Sequence, residues 1–223
     1  MVRISEVNVG RAVVIGEKRG RPWRTAINKG SVGAARVDVG LLGLEGDEQH
    51  NRKYHGGPSQ AVYAYAAEDA AWWSDELGRH VDATVLGQNL TTEGIDVSAV
   101  VIGERWRVGT TLLEATSPRI PCATLAKRIG LPGMVKRFAR AGRCGAYFRV
   151  LEPGTVGAGD PIAVIDRPAG APAVADVMAI LLFEGERAHE LLGLPALNPV
   201  AAAWAEARTA TAASLGVAIR PPP

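Results

Sequence analysis

Cysteine is scarce: Cys122 and Cys144 are the only two among 223 residues. Two thiols cannot frame a disulfide scaffold, so a reducing cytoplasm is the expected setting. They also fall short of the four thiolates that ordinarily hold an iron–sulfur cluster. Any redox chemistry must therefore draw its electrons from elsewhere. Charge imbalance is absent as well, since 25 basic against 23 acidic residues leave a net +2. That gives no global field for nucleic acid or an anionic membrane surface. No apolar run approaches the ~18–20 residues a membrane-spanning helix needs. The opening MVRISEVNVG alternates apolar and polar residues and lacks the apolar centre of a signal peptide. No internal repeat is found. The chain is 47% hydrophobic and 22% charged, as expected of a soluble globular protein with a real core.

Texture divides the chain. Residues 1–168 read as short strands separated by turns, from period-two patterning and glycine punctuation. VRISEVNV, AVYAYA, WRVGTTLLEAT, AYFRVL and PIAVI are the strand candidates. GLEGDE, HGGPS, TEG and PGTVGAGDP supply turns. One helix is predicted over Ala67–Leu77, with Glu68 and Asp69 at its positive end. Two more follow Cys122, one carrying Leu125 and Ile129, the other Met134 and Phe138. The expectation is a mainly β (α+β) body, closed like a barrel, with a few peripheral helices. Beyond RPAGAPA, alanine and leucine dominate. VADVMAILLF, GERAHELLG and NPVAAAWAEARTATAASL predict a small all-α domain of three helices over residues 172–217, with Asn198 capping the last. Residues 218–223 read as a loose tail.

Three segments carry candidate chemistry. In SPRIPCATLAK, Pro118 and Pro121 stiffen the approach to Cys122. Arg119 is either spent on a surface ion pair or placed near the sulfur, where it would favour the thiolate, the form that ligates metals or attacks. In GLEGDEQHNRKYHGG, the spacing of Asp47, His50 and His55 fits no compact zinc motif and reads better as a polar turn. Lys53, His55 and the amides of Gly56 and Gly57 are alternatively suited to cradle an anion. GQNLTTEG offers Asn89, Thr91 and Thr92 as short polar groups, equally consistent with plain turn chemistry. Between Ala123 and Cys144 stand Lys127, Arg128, Lys136, Arg137, Arg140 and Arg143 with no acid among them. This run is either a solvated helix face or a rim for a phosphorylated ligand or acidic protein. RGRPWRTAINKG is likewise basic.

Read in order, TAINKGSVGAARV, GLEGDEQHNRKYHGGPSQAVYAYAAED, GQNLTTEGI, IGERWRVGTTLLEATSPRIPC and GAYFRVLEPGTVGAGD resemble the MOSC domain. The likeness is closer to its YiiM-like branch, which carries a three-helix domain after the MOSC body. The resemblance implies a barrel-like fold that binds the molybdenum cofactor, with Cys122 as the protein's metal ligand; pyridoxal phosphate is not expected. A soft thiolate suits such a centre beside the cofactor's own dithiolene. Positions matching cofactor-binding residues are Arg119, Thr25, Lys29, Lys53, His55, Asn89 and Thr91. Two departures stand out: Gln88 replaces the usual glutamate, and Cys144 falls where proline is common.

The resemblance further implies an oxidoreductase acting on hydroxylamines, hydroxylaminopurines or amidoximes. It implies a separate flavoprotein or ferredoxin-like electron donor, and a monomer or homodimer with neither nucleic acid nor membrane as partner. A cofactor carrier, or a sulfur carrier holding a persulfide on Cys122, are the alternatives.

Overall fold

The computed structural model describes residues 1–50, 56–81 and 83–214. Lys53, His55 and the expected tail at 218–223 lie outside the described residues. Thirteen strands occur among them: β1 (Arg3–Val9), β2 (Val13–Lys18), β3 (Arg21–Thr25), β4 (Gly30–Ser31), β5 (Val37–Gly40), β6 (Gly43–Leu44), β7 (Val62–Ala66), β8 (Leu90–Glu93), β9 (Arg105–Val108), β10 (Thr111–Pro118), β11 (Ala146–Glu152), β12 (Gly154–Val156) and β13 (Ile162–Asp166). The helices are α1 (Ala67–Leu77), α2 (Ala123–Ile129), α3 (Met134–Ala141), α4 (Val174–Leu182) and α5 (Pro199–Ser214). None of them is long and apolar enough to cross a membrane.

Eight strands form one sheet in the order β13-β9-β10-β11-β7-β8-β1-β4, and all neighbours but one are antiparallel. The exception is β7 with β8, which α1 joins as a crossover, as parallel pairing requires. The sheet curls on itself. Ile4 N–H reaches the Asp160 carbonyl (2.8 Å), Gly159 N–H the Ile4 carbonyl (2.8 Å) and Ile162 N–H the Val2 carbonyl (3.1 Å), so β1 meets the approach to β13. Inside lie Trp106 and Phe148, both fully buried with ring centroids 4.6 Å apart. Burial of two such rings is a large part of what holds the curl closed.

The expected barrel-like body is therefore present, with corrections. WRVGTTLLEAT is not one strand but the hairpin β9–β10, because Gly109 takes a left-handed φ of 54° and reverses the chain. GERAHELLG forms a 3-10 segment over Gly185–Leu191 rather than an α-helix. QNLTTEG is not merely a turn: Leu90–Glu93 is the buried strand β8.

The C-terminal helices are tied to the sheet. Val174 N–H bonds the Val100 carbonyl (2.8 Å) and Ile102 N–H the Pro172 carbonyl (3.0 Å). Asn198 caps α5 as expected, its Oδ1 accepting from Val200 N–H at 2.9 Å. Its backbone N–H reaches the Thr116 carbonyl at 3.0 Å, and its Nδ2 donates to Ser59 Oγ at 3.0 Å. One hydrophobic cluster runs from the sheet into α4 and α5 through Val177, Met178 and Ala205.

Candidate functional site

Strand β10 ends at Pro118, which has no N–H to extend the ladder. The chain leaves the sheet through Arg119, Ile120 and Pro121, and Cys122 opens α2 in extended geometry (φ −136°, ψ 169°). Cys122 is half-buried, Cys144 is buried, and neither is in a disulfide. Burial pushes the Cys144 thiol from 9.0 up to about 12, so it stays protonated at neutral pH, and it does not line the cavity that Cys122 reaches. Its backbone N–H is held by Ser98 Oγ at 3.0 Å. Because the folded-state value is the raised one, the stabilisation is complete below pH 9 and is lost as pH climbs toward about 12. Unfolding free energy is therefore expected to decline above that lower value, and Cys144→Ala to flatten the decline. Parallel curves for the two proteins in urea titrations would contradict this.

Arg119 is only 6% exposed. One Nη donates to the Leu86 carbonyl (3.0 Å), and the guanidinium lies 5.4 Å from the Tyr63 ring centroid. Tyr147 contacts it from a ring 4.8 Å from that of Tyr63. Cys122 is near enough to interact with it electrostatically. Burial raises both phenols above their ordinary range, so both are neutral donors. Tyr63 spends its hydroxyl on the Cys144 carbonyl at 2.9 Å.

A second cluster centres on Asp47. One carboxylate oxygen accepts from Gly10 N–H (2.8 Å) and forms an ion pair with Lys29 Nζ. The other accepts from Asn89 Nδ2 at 2.9 Å. Lys29 and Asp47 side chains are 8% and 7% exposed. Burial lowers the Lys29 ammonium below its ordinary value, against the opposing pull of Asp47. Asn89 also accepts from Tyr63 N–H at 3.1 Å, fastening β7 to the approach to β8.

These groups line one cavity of about 1230 Å3. Thr25, Lys29, Asn89, Arg119 and Cys122 all reach it, joined by Asp47, Tyr63 and Tyr147, which sequence reasoning did not place there. Tyr63 and Tyr147 read as strand core, and only the adjacency of AVYAY to the HGG turn hinted otherwise. Thr91 is not among the lining residues. Its hydroxyl accepts from Asn8 Nδ2 (3.2 Å) and Gln88 Nε2 (3.0 Å) inside the protein. No cluster of three His, Cys, Asp or Glu suited to a metal occurs among the described residues.

The family profile described as MOSC domain matches residues 51–163. YflK of Bacillus subtilis (strain 168) is 34% identical over 164 residues, covering 74% of this chain and 73% of YflK. The chain belongs to the MOSC domain family. Among solved structures, YiiM from Geobacillus stearothermophilus superposes with a TM-score of 0.76 at 29% identity, covering 93% of this chain and 99% of that one. A protein of Gibberella moniliformis (strain M3125 / FGSC 7600) named "Reductase" is 35% identical over 136 residues, 59% of this chain but 24% of that protein.

In this MOSC protein, Gln88 is fully buried and lies off the cavity, its Oε1 without a partner among the described residues. The run of cations that lacked acids in sequence acquires some in space. Arg137 pairs with Glu76 (2.7 Å), and Arg143 pairs with Asp69 while covering the Trp72 ring at 4.7 Å. Both acids belong to α1, which packs beside α3. Arg128, Lys136 and Arg140 have no carboxylate partner among the described residues.

Proposed function

We propose that this MOSC protein holds the molybdenum cofactor in the cavity and reduces N-hydroxylated compounds there. The observation that carries the reading is Arg119. It is buried, has no carboxylate partner among the described residues, and its Nε makes no hydrogen bond there. A buried charge costs several kcal/mol unless it is compensated. A tyrosine face and one carbonyl offset part of that cost; an anionic group seated against the guanidinium offsets the rest. The donors suit the group. Cys122 supplies a soft thiolate for a thiophilic metal. Arg119 offers a planar fork to phosphate or pterin oxygens. Gly87 (φ 78°) lets the wall close against Ile27, which a Cβ there would meet at 2.7 Å.

When bound, the cofactor supplies a two-electron redox centre. R–NH–OH, two electrons and two protons yield R–NH2 and water. The chain's own residues do the rest: Cys122 and Arg119 fix the group, Lys29 keeps a proton at Nζ against Asp47, and Tyr63 and Tyr147 wall out water. The fungal relative named as a reductase is consistent with this chemistry. Electrons come from a separate flavoprotein or ferredoxin-like carrier. Arg128, Lys136 and Arg140, without carboxylate partners among the described residues, suit an acidic carrier.

Protein made where the cofactor is plentiful should carry near-equimolar molybdenum and pterin and should reduce a hydroxylaminopurine with an artificial reductant. Replacing Arg128, Lys136 and Arg140 by glutamine should slow turnover with the protein donor and spare turnover with the artificial one. Cofactor without turnover would indicate a carrier, and sulfane sulfur without molybdenum a persulfide protein. Absence of both metal and pterin would sink the reading.

A further inference from the structure

The hairpin β2–β3 stands apart from the barrel as a two-stranded sheet of its own, yet it forms one wall of the cavity. Lys18, Arg19, Arg21 and Arg24 all lie on that wall. Lys127 of α2 joins them from the other side, 5.5 Å from the Trp23 ring centroid, while Lys18 lies 4.9 Å from the same ring. One indole therefore gathers two ammonium groups, of which Lys18 lines the cavity and Lys127 stands behind that lining. None of these five cations has a carboxylate partner among the described residues, although arginines elsewhere on the barrel, at positions 3, 36, 105, 107 and 149, are each paired. The same lining holds two acids, Asp47, which is spent on Lys29, and Glu48, which accepts from Ala12 N–H at 2.7 Å, so the wall remains net positive and its field concentrates anions.

The tip of the hairpin adds a second observation. Arg19 and Gly20 are its two turn residues, with φ of 53° and 72°. Two successive positive φ values define the turn that suits a tight hairpin, and Asn, Asp or Gly normally fill its first position. An arginine there accepts a strained backbone and gains a guanidinium at the rim. Deeper in, Arg119 already serves the cofactor's anionic group. The rim charge is thus surplus to cofactor capture. Ile27 and Tyr147 line the same cavity and offer apolar surface to a planar base.

We propose that the β2–β3 hairpin reads a phosphate on the substrate, so that the site takes N-hydroxylated nucleotides in preference to free bases, nucleosides or simple hydroxylamines. This rests on the reading of the cavity as an N–O reductase. The chemistry is a phosphate monoester held by arginine forks and the indole-bound ammonium group of Lys18, its base directed toward the interior.

The test compares the ribonucleoside of 6-hydroxylaminopurine with its 5′-monophosphate, a pair that differs only in phosphate. Cofactor-loaded protein and an artificial reductant are used throughout. The monophosphate should have the higher kcat/KM by about tenfold or more, mainly through KM, the size of one or two charge-assisted contacts. In Lys18→Gln/Arg21→Gln/Arg24→Gln that advantage should collapse toward unity, with molybdenum and pterin content retained. A wild-type ratio near one overturns the proposal. So does a triple variant that loses its cofactor, because the rim would then belong to the cofactor. If neither compound is reduced, the reductase reading has failed, and equilibrium dialysis still decides the rim. Adenosine 5′-monophosphate bound in preference to adenosine, and released by the triple variant, upholds it; equal binding or none overturns it.

Discussion

On the function proposed above, Cys122→Ala should emerge from a cofactor-rich host with background molybdenum, and N-hydroxy reductase activity should fall by more than about 100-fold. The scale follows from metal sites generally, where even groups that only orient a ligand are worth about 10–100-fold. Removing the ligand itself exceeds that. The fold should hardly notice. The side chain is half-buried at the start of a seven-residue helix and accepts no capping hydrogen bond from its first turn. Loss of stability should stay under about 1 kcal/mol, in the range of ordinary surface changes. Cys122→Ser sharpens the experiment, because it keeps shape and replaces a soft donor with a hard one. Metal analysis with thermal unfolding on each variant separates ligation from packing. Wild-type molybdenum in the alanine protein would remove Cys122 from the metal.

Asp47→Ala carries the second large effect, and it is one of stability. The substitution leaves the Lys29 ammonium buried without its counter-charge and takes the acceptors from Gly10 and Asn89. Breaking one side of a buried pair costs about 3–5 kcal/mol, a large part of the ~5–15 kcal/mol that holds a domain together. The sign of its pH dependence is fixed by Lys29. Its folded value is already lowered by burial, and losing Asp47 lowers it further. Between that value and the unfolded 10.5 the unfolded chain binds more protons, so raising the pH stabilises the folded variant. The gap between wild type and Asp47→Ala should therefore narrow as pH rises, while Lys29→Met/Asp47→Leu should recover most of the lost stability at neutral pH. Urea unfolding over a pH series measures both. A gap independent of pH would mean that Lys29 is not the cause.

The sequence disclosed the parts of this architecture that are local. Helix α1 was legible end to end, because its acidic first turn and Gly78, left-handed at φ 59°, both lie within the segment. PRIPC was legible because two prolines and a charge surround one thiol. What depends on distant partners was not. Asp47 was grouped with His50 and His55 by proximity in the chain, whereas its true partner Lys29 stands 18 residues upstream. The acid-free cationic run looked uniform until α1 packed against α3 and neutralised two of its members. The β2–β3 hairpin went unread because both of its faces are largely exposed, which removes the alternation that betrays a half-buried strand. Strand β8 hid for the opposite reason: polar residues occupy a fully enclosed position, where internal hydrogen bonds replace the expected apolar ones.

Asn198, the residue that opens the last helix, grips Ser59 beside the glutamine and alanine of the cavity wall at positions 60 and 61. A ribosome must therefore extrude the chain past residue 198 before that wall gains its final brace. That wall is accordingly completed only once residue 198 has been made, so a group that depends on it, such as the cofactor proposed above, would enter a folded barrel rather than a growing one.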